Sequence, residues 1–140
     1  MLGIVITGHG KFATGLLSAV EQVIGSQTQC KAIDFPEGIS TEELASQLED
    51  ACNACDNGDG IVLLCDLLGG SPFRQASQIA LTKNNYEVIS GTNMQIAAEM
   101  LLEREELTAA EFRNAAVICG KDGITSLWHE LSTEDNNTDF

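Results

Sequence analysis

Residues 1–10 read MLGIVITGHG and residues 60–70 read GIVLLCDLLGG, and these two stretches decide the fold. Each opens with a short uncharged run rich in Ile, Val and Leu, the pattern of a strand buried on both faces of a parallel sheet. Each also stops abruptly at a polar residue and glycines. Gly60–Cys65 is the more hydrophobic of the two and is expected at the centre of the sheet. It delivers Asp66 at its C-terminal end, and Leu2–Thr7 leads in the same way to His9.

Working outward, Phe12, Leu16, Val20 and Val23 recur at helical spacing until Gly25, a helix terminator. Thr28–Phe35 reads as a second strand, ended by Pro36 and Gly38. Ser40 then precedes a helix with Glu42 and Glu43 in its first turn, where carboxylates favour the positive end of the dipole. That helix reaches about Cys55. Beyond Asp66, Ser71-Pro72 reads as an N-cap followed by proline at the first helical position. Phe73, Ala76, Ile79 and Ala80 give the buried stripe of this helix. Tyr86–Ser90 is a fourth strand, and Asn93 begins a helix that turns Ala97, Met100 and Leu101 inward. Thr108–Cys119 is a further helix, with Thr108 and Glu111 at capping-box spacing. Ile124–Leu131 (ITSLWHEL) is read as a last strand, a short helix being the alternative. Residues 1–131 form one domain, and 132–140 are a polar tail expected to be disordered.

Strand alternating with helix implies right-handed crossovers. The expected fold is α/β, an open doubly wound sheet of parallel strand order 2-1-3-4 with helices on both faces. Ligands of such sheets lie beyond the C-terminal strand ends, where the strand order reverses. That point falls between the first and third strands, whose terminal loops are GHGK and DLLGGSPF.

Composition excludes several classes of function. The chain has 140 residues, 44% of them hydrophobic, and a mean hydropathy near zero, which suits one globular domain. A net charge of −14 repels nucleic acid and acidic lipid over most of the surface. No apolar run approaches the roughly 20 residues that span a bilayer. The N-terminus lacks the basic region of a signal peptide, so a cytoplasmic location is expected. Five cysteines are an odd count, and Cys52 and Cys55 of CNAC fall on the apolar stripe of Leu44, Leu48 and Ala51. They read as core residues, since a redox pair is normally found at a helix N-terminus. With His9 and His129 the only histidines, no metal site is expected. His129, beside Trp128, is assigned a structural role.

His9 is the sharpest signal. Gly8 and Gly10 remove bulk around its imidazole, and Asp66 is expected to emerge from the neighbouring strand. A carboxylate that takes the proton of one ring nitrogen leaves the other nitrogen as a lone-pair nucleophile. Helix N-termini with glycine-rich approaches bind phosphate oxygens. The set suits a phosphohistidine, with Gly10, Lys11, Gly70 and Ser71 as candidate phosphate-binding residues. Acidic residues crowd Ala32–Asp59 without a Lys or Arg, whereas Lys11 and Arg74 flank the two loops. Leu67 and Leu68, with Phe35 and Pro36 on the same side, form an apolar ring that suits a protein partner, and Arg74 joins them as a candidate partner contact. No P-loop or GxGxxG fingerprint is present, and GGSPF does not match GxSxG. Two rivals stand beside this reading. One is a flavodoxin-like module that binds a small phosphorylated ligand, and the other is an acyl hydrolase built on Ser71 and His9.

GIVITGHGKFATGL, Phe35-Pro36, LLCDLLGGSPF and ISGTNMQIAAEML together resemble the enzyme IIA domain of the mannose-family sugar phosphotransferase system, nearest to the N-acetylgalactosamine or galactosamine subunits. The resemblance spans Leu2–Leu131. It implies that His9 accepts a phosphoryl group on Nε2 from the histidine phosphocarrier protein while Asp66 orients Nδ1. His9 would then pass the group to a IIB subunit, which serves IIC and IID membrane subunits during sugar uptake. It further implies no cofactor and a homodimer in which the last strand, antiparallel to the rest, is exchanged. The phosphotransferase subunit of dihydroxyacetone kinases is a related alternative, disfavoured by the glycines around His9.

Overall fold

Every side chain from Ile61 to Cys65 is buried, because this strand has a neighbour on each side and helices on both faces. The computed structural model describes residues 1–132. Its strands are β1 (Gly3–His9), β2 (Cys30–Phe35), β3 (Ile61–Cys65) and β4 (Tyr86–Ile89), all parallel in the order β2-β1-β3-β4. The helices are α1 (Phe12–Ile24), α2 (Thr41–Cys55), α3 (Gly70–Ala80), α4 (Met94–Glu103), α5 (Ala109–Asp122) and α6 (Leu127–Ser132). The expected doubly wound topology is the one observed.

Strand alternation divides the core into two layers. Ile4 and Ile6 of β1, with Val62 and Leu64 of β3, pack with Val20, Met100 and Phe112 of α1, α4 and α5. Val5, Ile61, Leu63 and Cys65 meet Leu44, Leu48 and Cys52 of α2 and Ala76 of α3 on the other face. Each fully buried Leu or Ile contributes about 1.5–3 kcal/mol relative to exposure, so both layers hold the sheet against its helices. Cys52 and Cys55 belong to this core. Burial pushes the Cys52 thiol to about 12 and raises that of Cys55, which suits packing and not redox exchange.

Polar side chains close the helix starts. Ser40 accepts the Glu43 amide, Asn93 accepts the Ile96 amide, and Thr108 and Glu111 exchange both bonds of a capping box. At the N-terminal end of the sheet, Arg104 is 2% exposed and donates to the carbonyls of Leu2, Gln29 and Thr28. It ties β1 to the chain entering β2.

Two expectations are corrected. Ser71 does not cap α3: the N-cap is Gly69, and Ser71 and Pro72 lie within the first turn. Gly69 (φ 93°) and Gly70 (φ 79°) take left-handed conformations that turn the chain into the helix two residues early. The antiparallel strand expected over Ile124–Leu131 is also absent from this chain. Leu127–Ser132 is a short helix with no buried residue, started by Ser126, whose Oγ accepts the His129 amide. A local capping bond is available to an isolated chain, whereas strand pairing needs a partner edge. Of the polar tail expected over 132–140, Ser132 ends α6 and the rest lies outside the described residues.

Candidate functional site

Parallel register brings the two decisive loops together. Thr7 of β1 lies opposite Cys65 of β3, so His9 and Asp66, each just past this pair, emerge at the same sheet end. His9 also lies opposite Phe35 of β2. Gly8 permits the approach: a Cβ there would sit 2.5 Å from the Phe12 ring and 2.9 Å from the Asp66 carboxyl carbon.

Asp66 Oδ2 accepts two bonds of 2.8 Å, one from the His9 backbone amide and one from ring Nδ1, while Oδ1 accepts the Leu67 amide at 2.8 Å. The Asp66 side chain is 11% exposed and that of His9 45%. Burial would raise the Asp66 pKa, but these hydrogen bonds and the imidazole outweigh it and hold the carboxyl below its ordinary 3.8. An ionised carboxylate has only acceptors, so in the neutral imidazole Nδ1 carries the proton and Nε2 the lone pair. On another side, the Phe35 ring meets the imidazole edge-on, with centroids 6.0 Å apart and planes at 71°.

Nε2 faces the start of α3. A Cβ on Gly70 would come within 2.9 Å of His9 Cε1 and 3.1 Å of Nε2, so only glycine leaves this approach open. No side chain caps α3, so the amides of Gly70 and Ser71 open its positive end. The first helix differs. Asp34, at the end of β2, accepts the Thr14 amide at 2.9 Å and the Thr14 hydroxyl at 2.6 Å, closing the first turn of α1.

These contacts sort the expected site residues. His9, Asp66, Gly70 and Ser71 converge. The Gly10 amide is already committed to the Phe35 carbonyl at 2.9 Å, so Gly10 offers space and not a donor. Lys11 is the exposed N-cap of α1, and Arg74 is exposed on α3. Leu67 (55%) and Leu68 (78%) both face solvent beside Asp66, and Pro36 is exposed where Phe35 is half-buried. Ser71 makes no hydrogen bond to His9, so the contact that a hydrolase would need is not made. His129 is exposed on α6, away from these contacts. Sequence reasoning missed Asp34, whose partner is twenty residues away, and Gly69, whose role lies in its φ. It also missed Glu37 and Ile39, which line a groove beside His9. Only the Phe-Pro pair at the strand end marked that loop.

Residues 3–117 match a family model, EIIA-man, described as the PTS system fructose IIA component. The chain belongs to the mannose-family enzyme IIA components. This IIA chain is 38% identical over 130 residues to YadI, a phosphotransferase enzyme IIA component of Escherichia coli K12, covering 93% of this chain and 89% of that one. It is 35% identical to the mannose-specific EIIAB component of the same strain, over 90% of this chain but only 39% of that longer protein. Among solved structures, the phosphotransferase system component EIIA of Streptococcus agalactiae superposes with a TM-score of 0.85 at 27% identity, covering 92% and 99% of the two chains. As a IIA component it acts in phosphoryl transfer during sugar uptake, together with phosphocarrier and IIB, IIC and IID partners. Among the described residues no helix is long and apolar enough to cross a membrane.

Proposed function

We propose that His9 is the residue that carries the phosphoryl group, accepting it from the histidine phosphocarrier protein and passing it to a IIB subunit. One observation carries this reading: Asp66 holds Nδ1 at 2.8 Å and leaves Nε2 open against Gly70. In the forward step the Nε2 lone pair attacks phosphorus, and the donor's P–N bond breaks with its electron pair returning to the donor ring. The second step repeats this with His9 as donor. The Nδ1 proton stays between His9 and Asp66 throughout, so transfer depends on positioning and on charge neutralisation. The amides of Gly70 and Ser71, with Lys11, form the cradle for the phosphoryl oxygens. Phe35, Pro36, Leu67, Leu68 and Arg74 form the surface that both partners contact in turn. The scheme calls for no metal or organic cofactor.

Two finer points belong to the same reading. The chain works as a homodimer through its C-terminal segment, with residues 124–131 exchanged between subunits. The sugar is an amino sugar such as N-acetylgalactosamine, a choice that rests on the likeness of the quoted motifs and not on this site, which the sugar never meets.

Incubation with phosphoenolpyruvate, enzyme I and the phosphocarrier is expected to place one acid-labile phosphate on each chain. His9→Ala should take none, and a variant still labelled on histidine would overturn the assignment. Stoichiometric binding of a phosphorylated ligand, with no acid-labile phosphate, would instead favour the flavodoxin-like module.

A further inference from the structure

A cleft of about 300 Å³ lies between α2 and α3. Each helix turns three residues at i, i+3 and i+4 into it, Glu49, Cys52 and Asn53 from α2 and Gln75, Gln78 and Ile79 from α3. Lys83 and Tyr86 close its end. Gly70, which meets Nε2, begins α3, whereas Gln78 lies eight residues on, about 12 Å along the helix axis. None of the cleft residues makes a hydrogen bond or ring contact with His9 among the described residues.

Floor and walls differ in chemistry. Cys52 and Tyr86 are buried and Ile79 is half-buried, so the floor is largely apolar. Above it stand one carboxylate, Glu49, and one ammonium, Lys83, which form no ion pair with each other or with any other described residue. The Lys83 Nζ lies 5.8 Å from the centroid of the Tyr86 ring, so its charge is held over the floor. A further carboxylate, Asp56, is already engaged by the Tyr86 hydroxyl at 2.9 Å and the Gly58 amide at 2.8 Å. Both unpaired charges act on one buried atom. Burial is the main cause that raises the Cys52 thiol, Cys55, Asp56 and Glu49 add to it, and Lys83 opposes it. Glu49 and Lys83 thus reach the same floor, one from α2 and the other from the chain beyond α3.

Two opposite charges that share a floor and do not meet can be bridged by a molecule that carries both. We propose that this cleft binds a small zwitterion, a free α-amino acid, with its ammonium group on Glu49, its carboxylate on Lys83 and its side chain over Ile79 and Tyr86. The carboxamides of Asn53, Gln75 and Gln78 supply donors and acceptors for the two charged ends. The volume is at the lower limit of the roughly 300–1,000 Å³ typical of ligand sites, which suits a molecule of this size better than a nucleotide. An open cleft and few ligand atoms give an affinity of roughly millimolar order.

The test titrates L-alanine and L-glutamine into the full chain, followed by backbone-amide NMR and calorimetry, with propionate and propylamine as molecules that each carry one of the two charges. Both amino acids should give saturable shifts at Glu49, Asn53 and Gln78, and the two single-charge molecules should bind at least about tenfold more weakly. Glu49→Gln and Lys83→Met should each weaken both amino acids at least about tenfold while the amide spectrum stays dispersed, and Lys83→Arg should keep most of the affinity. No saturable shift at the cleft up to about 50 mM would overturn the proposal. So would equal binding of propionate or propylamine, or unchanged affinity in both charge variants. Each of these outcomes leaves the assignment of His9 untouched.

Discussion

Asp66 grips a single residue twice. Because one oxygen takes both the His9 amide and ring Nδ1, the backbone and ring of His9 are fixed relative to each other, and the side chain has little rotational freedom left. Asparagine at this position has one oxygen and one NH2 group. An NH2 turned toward His9 would face two donors, or force the proton onto Nε2 and remove the lone pair that attacks phosphorus. Asp66→Asn is therefore expected to slow labelling by the phosphocarrier about 100-fold while the chain stays folded. Labelling at the wild-type rate would overturn the orienting role. The pH dependence has a definite sign. Since the folded-state pKa of Asp66 lies below the unfolded value of 3.8, its contribution to stability is fully present above that value and is lost as pH falls through the lower one. The grip on His9 thus persists across the neutral and mildly acidic range, and acid titration followed on the Asp66 carboxyl signal should report its loss only below the ordinary value of 3.8.

At the scale of elements, the crevice is set by two helix N-termini with opposite fates. At the start of α1 the Thr14 amide is taken by Asp34, whereas at the start of α3, two glycines without a side-chain cap, no side chain takes an amide. The amides at the start of α3 can receive phosphoryl oxygens without displacing a side chain. Gly70→Ala should abolish or severely slow labelling, because its Cβ would press on Nε2 and its φ of 79° would be strained. Thr14→Val should instead lower stability by about 1 kcal/mol, the worth of a helix-start bond, and leave labelling in place. Equal labelling losses in the two variants would remove the distinction between the helices. What the sequence made legible follows the same division. Periodicity marks four strands and five helices correctly, and the doubly wound order 2-1-3-4 expected for such an alternation pairs His9 with Asp66. Local backbone choices were not legible. The α3 cap moved from Ser71 to Gly69 because left-handed glycines, and not a hydroxyl, make that turn. Asp34 was hidden because it acts across twenty residues, and Glu37 and Ile39 because the groove they line exists only in the fold.

At the scale of the whole molecule, a second set of exposed apolar residues lies beyond the loops that form the site. Val117, Ile118, Ile124, Leu127 and Trp128 are 41–78% exposed, and they come from the end of α5, the following loop and α6. Such a cluster on a single chain marks an interface. In the single chain 127–132 is a short helix that starts at the Ser126 cap and holds no fully buried residue. In the proposed dimer it would exchange these local bonds for pairing and burial on a second copy. Sedimentation equilibrium is expected to give a dimer for wild type. Combined Leu127→Ser and Trp128→Ala substitutions should raise the dissociation constant by at least about 30-fold, the equivalent of a hot-spot loss of 2 kcal/mol. Because none of the hydrogen bonds or ring contacts of His9 comes from residues 124–132, the resulting monomer should still label on His9. A wild-type chain that sediments as a monomer would refute the dimer, and a monomeric variant that cannot be labelled would mean that the second copy completes the site.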